Sequence, residues 1–224
     1  MKKGKCESGH KLVVFGSGSS ASVKRDWPNF LFINTSFSRL QRYENEKINN
    51  LVLAEGYTEI HQVFNETNNL DLTRYRIRKE KVGLLKKLNA KNLFIFTNRH
   101  QRKITRGLQE LNLNYDTLSI VSYRRLYFLL LNFLIKNNGI SFKLFLIYTF
   151  SIITNSKPKV QYRPSNGVAG ALYLFFAFDY CEIELDGFLS EESFYGQHLQ
   201  KHALTNRHLG IDSHIIKLLK GLKC

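Results

Sequence analysis

Cysteine is scarce in this 224-residue chain. Cys6, Cys181 and Cys224 form no CxxC spacing and no Cys/His metal pattern. An odd, scattered set of this kind argues against a disulfide framework and a zinc finger, and it fits a reducing cytoplasm. A leader-like apolar core is also lacking, because Lys2, Lys3 and Lys5 run directly into Glu7-Ser8-Gly9-His10. No secretory signal is expected from such a start. Long uncharged apolar runs are missing too. The most hydrophobic stretch, 126–153, is broken by Lys136-Asn137-Asn138-Gly139 and by Lys143 into pieces shorter than the roughly 18 residues that a bilayer span needs. Internal repeats and low-complexity segments are not apparent.

Acidic residues are few: 18 against 33 Lys and Arg, a formal net charge of +15. Such a balance produces a positive potential that attracts anions. Nucleic acid, an acidic membrane surface and a phosphorylated small molecule all qualify. The basic runs, Arg74-Tyr75-Arg76-Ile77-Arg78-Lys79, 99–106 and Arg124-Arg125, carry neither an RNP1 segment nor zinc-finger spacing. A solvated basic face is the plainer reading of each.

With 43% hydrophobic residues the chain can bury one sizeable core, and its length predicts a single domain over 1–224. Lys11-Leu12-Val13-Val14-Phe15, Phe30-Leu31-Phe32-Ile33, Leu51-Val52-Leu53-Ala54 and Leu93-Phe94-Ile95-Phe96 are short apolar runs that read as buried strands. A helix-like segment, 80–88, precedes the last of them. Strands alternating with helices predict an α/β domain with a mainly parallel sheet and helices on both faces. Sites in such sheets lie beyond the carboxyl ends of the strands, where Gly16, Asn34 and Thr97 fall. The segment 124–154 is expected to form two helices joined by an Asn-Gly turn, as an insertion that packs on the core or lies at a membrane surface with Arg124 and Arg125 at the headgroups.

Three places carry chemistry. Gly16-Ser17-Gly18-Ser19-Ser20-Ala21 follows a strand in the loose GxGxxA form, whose small residues admit a phosphate close to backbone amides. A nicotinamide site would put Asp or Glu at the end of the next strand; Asn34-Thr35-Ser36 stands there instead, which counts against NAD and leaves Asn34 to bond a ribose or base. The alternative is a tight turn. Arg163-Pro164-Ser165-Asn166-Gly167 precedes the apolar run 168–178, and Ser165 or Asn166 can cap the helix that it predicts. The first amides of that helix, its dipole and Arg163 would converge on an anion beside Gly167; an ordinary capped core helix is the plain reading. A strand, Cys181-Glu182-Ile183-Glu184-Leu185, follows and ends at Asp186-Gly187-Phe188. Last, four of the seven histidines, His198, His202, His208 and His214, cluster near the end. No HExxH and no nearby Cys supports zinc. His208 stands just before Gly210-Ile211-Asp212, where Asp212 is expected to cap a helix over 213–219.

Taken together, Tyr162-Arg163-Pro164-Ser165-Asn166-Gly167, the apolar helix and the segment 181–188 resemble the small sialyl motif of sialyltransferases. Val13-Val14-Phe15-Gly16-Ser17-Gly18-Ser19-Ser20 with Phe32-Ile33-Asn34 resembles the large motif, and His208 with Asp212 before an apolar helix resembles the very short motif. The likeness covers residues 11–34 and 160–220, and the middle shows none. Ser17 stands where the family usually has Asn; of the tyrosines that hold the donor phosphate in bacterial members only Tyr195 has a counterpart, with His198 or His202 as substitutes; and the chain is short for a donor lid.

The resemblance implies a Rossmann-like, GT-A-variant glycosyltransferase. It would move a sialic acid or a related ulosonic acid such as Kdo from a CMP-sugar to a hydroxyl of a glycan or glycolipid, as in lipopolysaccharide or capsule assembly. It implies a metal-independent, inverting transfer with no cofactor, His208 and Asp212 as catalytic residues, and a donor site formed by Gly16, Ser17, Gly18, Ser19, Asn34, Arg163, Ser165, Asn166, Gly167, Asp186, Gly187, Tyr195 and His202. The expected location is the cytoplasm, at the inner face of the membrane if the chain is peripheral. Two other readings stay open: a basic nucleic-acid-binding protein, with aromatic residues among cations at Arg74-Tyr75-Arg76 and Tyr123-Arg124-Arg125, and a nucleotide-binding relative without catalysis.

Overall fold

The structure is a computed structural model that describes residues 11–15, 29–32, 47–53, 55, 58, 83, 86–178, 182–186 and 209–221. It is mixed α/β with parallel strands. In chain order the elements are β1 (Lys11–Phe15), β2 (Asn29–Phe32), β3 (Lys47–Leu53), β4 (Asn89–Phe96), α1 (Gln101–Leu111), β5 (Asn114–Val121), α2 (Tyr123–Lys136), α3 (Phe142–Thr154), a 3-10 turn (Val160–Tyr162), α4 (Asn166–Ala177), β6 (Glu182–Asp186) and α5 (Leu209–Lys220). The chain divides into two compact units: Ile33–Val121 is one, and Met1–Phe32 with Ser122–Cys224 is the other.

In the unit Ile33–Val121, β4 pairs in parallel with β3 and with β5. Leu51, Val52 and Leu53 of β3 and the residues Leu93, Phe94, Ile95 and Phe96 of β4 are all buried, the continuous apolar pattern of a parallel strand covered on both faces. A polar ladder crosses this apolar sheet. Asn50, Asn92 and Thr117 are register partners, and Asn92 donates to Asn50 Oδ1 at 2.9 Å while the Thr117 hydroxyl donates to Asn92 Oδ1 at 2.7 Å. The buried Asn50 amide thereby gains a partner for its oxygen. Helix α1 connects β4 to β5 and presents Ile104, Gly107, Leu108 and Leu111 inward at helical spacing. It ends at Asn112, whose φ of 50° is the left-handed stop that asparagine tolerates.

In the other unit, β1 pairs in parallel with β2 and with β6. Serine begins three of its helices: Ser122 accepts from Arg125 N, Ser141 from Leu144 N and Ser165 from Val168 N. The expected helical hairpin is present, and its turn places Asn138 at φ 51° before Gly139. No helix among the described residues is long and apolar enough to cross a membrane. Helix α4 is buried from Gly167 through Phe175, against α2, α5 and β2. Its small residues Gly167, Ala169, Gly170 and Ala171 let neighbours approach, so an all-apolar helix becomes the centre of this unit.

The expected limits of β1, β2 and β6 hold within a residue, whereas β3 and β4 begin four residues before their apolar runs, at Lys47 and Asn89. One difference changes an argument: the last helix does not begin at Ser213 with Asp212 as its cap. It begins at Leu209, and Asp212 lies in its first turn. Residue 212 is therefore helical, and its carboxylate is turned to a different partner.

Candidate functional site

Two of the resembling segments meet at the start of α4. Ser165 is the N-cap, as expected, with its hydroxyl accepting from Val168 N at 3.4 Å. Its own backbone N–H donates to Asp212 Oδ1 at 2.8 Å, across 47 residues of sequence. Asp212 thus does for α4 what it was expected to do for its own helix: it sets a carboxylate at the positive end of a helix dipole. The amides of Asn166 and Gly167 follow in the first turn, where N–H groups have no acceptor inside the helix. Arg163 stands two residues before the cap, and its charge acts on the buried Tyr127 of α2.

The neighbouring helices bury two residues that the sequence does not single out. Tyr127 of α2 and Tyr148 of α3 are almost fully buried and stack with ring centroids 5.6 Å apart at 22°. The Tyr148 hydroxyl donates to the Tyr162 carbonyl at 2.8 Å. Burial pushes the Tyr127 phenol well above its ordinary value, with Arg163 acting against it. Burial also raises Tyr148, and the neighbouring Tyr127 and the negative Asp212 push in the same direction. Both phenols therefore stay neutral and act as hydrogen-bonding groups. The signal that could have found them is two tyrosines placed in otherwise aliphatic and Phe-rich helices, since a buried hydroxyl needs a partner.

Where the β strands end, β6 and β1 run side by side with Phe15 opposite Asp186. The strand that leads into the glycine loop and the end of the small-motif-like strand are thus neighbours in one sheet. In the unit Ile33–Val121, Thr97 follows β4 as expected; it is buried, and its hydroxyl accepts from Arg99 N at 3.0 Å. Gly16, Ser17, Gly18, Ser19, Asn34, Gly187, Tyr195, His198, His202 and His208 lie outside the described residues. Asp212 is brought to the segment 163–167 by its bond to Ser165, and Asp186 is placed by its strand.

His214 has a structural partner. Its Nε2 lies 2.5 Å from the Gly139 carbonyl and ties α5 to the turn between α2 and α3. Among the described residues no group of His, Cys, Asp or Glu is arranged to hold a metal ion.

Chemically, the start of α4 offers backbone donors to an anion, but the Ser165 amide already serves a carboxylate. An incoming phosphate would be held by the next two amides and would sit beside a negative charge. Compared with known proteins, the chain matches no family model, and it has no significant match among curated proteins or among solved structures.

Proposed function

We propose that this chain is a CMP-sugar-dependent glycosyltransferase of the sialyltransferase kind, moving a sialic acid or a related ulosonic acid to a hydroxyl of a glycan or glycolipid on a GT-A-variant, Rossmann-like fold. The observation that supports it most is the 2.8 Å bond from Ser165 to Asp212. It joins the segment resembling the small motif to the segment resembling the very short motif, two stretches that share no local reason to meet. The pairing of Phe15 with Asp186 adds the strand that leads into the glycine loop.

In this reading the acceptor hydroxyl attacks the anomeric carbon, the new C–O bond forms as the bond to the CMP phosphate oxygen breaks, and the hydroxyl proton passes to His208. Histidine suits the task because its ordinary pKa of about 6.5 leaves much of it neutral near pH 7. The leaving phosphate gains negative charge, which the Asn166 and Gly167 amides and Arg163 stabilise. Asp212 holds the start of α4 in place for that contact.

A second reading, a nucleotide-binding relative without catalysis, is favoured by the Asp212 carboxylate, which occupies the amide that a phosphate would be expected to take. The test for both is CMP release from CMP-sialic acid and CMP-Kdo, with and without EDTA, alongside thermal stabilisation by CMP and by oligonucleotides. EDTA-resistant release supports the enzyme; CMP stabilisation without release supports the inactive relative; stabilisation by oligonucleotides alone refutes both.

A further inference from the structure

Helix α3 is amphipathic in the wrong sense for a helix that serves only the core. Its buried residues are Tyr148 and Ser151, whose hydroxyls are satisfied by the Tyr162 and Ile147 carbonyls. Apart from Lys143 and Thr154 its exposed residues are apolar, and among them Phe142, Leu146, Phe150 and Ile153 are 77%, 51%, 65% and 68% exposed. At 100° per residue these four fall within an arc of about 80°, so they form one stripe along the helix. Leaving four large apolar side chains of one helix in water is uncommon for a free surface, and a contiguous stripe of this kind marks an interaction site.

The charge around the stripe selects its occupant. From residue 117 to residue 178 the sequence has no Asp or Glu and seven Lys or Arg. Lys143 is exposed near the first turn of α3. At the other end the Arg124 guanidinium lies against the Ile152 and Ile153 carbonyls, and Lys157 follows, with its ammonium 4.5 Å from the Tyr123 ring centroid. A second copy would bring the same cations against these, with a formal charge of +15 on each chain. An anionic lipid surface answers both features, since acyl chains take the Phe, Leu and Ile side chains while headgroups take the Lys and Arg.

We infer that the outer face of α3 is a membrane-surface contact that seats this chain in the headgroup region of an anionic bilayer without crossing it. The inference stands apart from the transfer reaction, because the stripe and the cations flanking it, Arg124, Lys143 and Lys157, are not assigned to that site.

The experiment is co-sedimentation of the full chain with phosphatidylcholine vesicles, with and without phosphatidylglycerol. The chain should pellet with the anionic vesicles and be released by high salt. The triple variant Phe142→Ser, Phe150→Ser, Ile153→Ser should lose roughly tenfold or more of that partitioning, because each removed apolar group weakens insertion. Phe150→Trp, which keeps the stripe apolar, should show a blue-shifted emission with anionic vesicles that brominated lipid quenches, relative to the parent chain. The inference is overturned if the parent chain stays in the supernatant, if it pellets equally with neutral vesicles, or if the emission of the Phe150→Trp variant does not respond to anionic vesicles. A parent dimer that the triple serine variant converts to monomer would also overturn it, in favour of self-association.

Discussion

The Ser165 amide donates to the Asp212 carboxylate at 2.8 Å, and this one bond joins the first turn of α5 to the cap of α4. Asp212→Ala leaves that N–H without its acceptor at a partly buried position, a loss of about 1–3 kcal/mol. Asp212→Asn keeps an acceptor oxygen and should recover part of the loss. Urea unfolding of the three proteins checks the order; equal midpoints would show that the bond contributes nothing to stability.

The two stacked tyrosines give a pH dependence. Their folded-state phenol pKa values lie above the ordinary value of about 10, so the folded state holds protons that the unfolded state releases. The stability they contribute is fully present below pH about 10 and is lost as pH rises beyond it. Parent protein should therefore unfold in alkali with a late step in phenolate absorbance, and Tyr127→Phe should weaken that dependence. A phenolate titration completed before any unfolding would contradict this assignment.

Gly107 separates packing from helix propensity. A Cβ there would fall on the Thr58 carbonyl, which is backbone and cannot swing away. Gly107→Ala should destabilise by about 1–3 kcal/mol, despite the roughly 1 kcal/mol that alanine gains in a helix interior. A stabilised variant in thermal unfolding would show that α1 and the segment at Thr58 can relax apart.

For the proposed transfer, the histidines divide by role. His208→Ala should lower turnover about 10²–10⁴-fold with CMP affinity unchanged. His214→Ala should cost about 1 kcal/mol of stability through its lost bond to Gly139 and leave turnover near normal. Arg163→Ala should weaken CMP binding by about 1.5–3 kcal/mol. Calorimetric CMP titration and CMP-release rates measure these; loss of turnover in His202→Ala with His208→Ala intact would move the base to His202.

Much of the fold was legible locally. The apolar runs of β1, β3 and β4, the serine cap at Ser165, and the Asn-Gly turn between α2 and α3 follow from propensity and patterning within a few residues. Those features depend on neighbours in sequence, so composition and spacing determine them. Other relationships depend on partners far apart in the chain, and only packing decides them. Nothing in 209–221 says that Asp212 turns toward Ser165 rather than capping its own helix. Nothing in 123–154 says that α3 buries Tyr148 and Ser151 and leaves Phe142 and Phe150 outside, because hydrophobicity alone would place them the other way round. Asn50, Asn92 and Thr117 likewise look like interruptions of apolar strands until register aligns them. Local pattern thus marks the strands at β1, β2, β3, β4 and β6, the helices of 124–154 and α4, and where negative charge is scarce, while α1 and β5 carried no such mark. Packing between elements settles which polar groups find each other, because a buried hydrogen bond is satisfied by geometry across the fold, not by the residue that carries it.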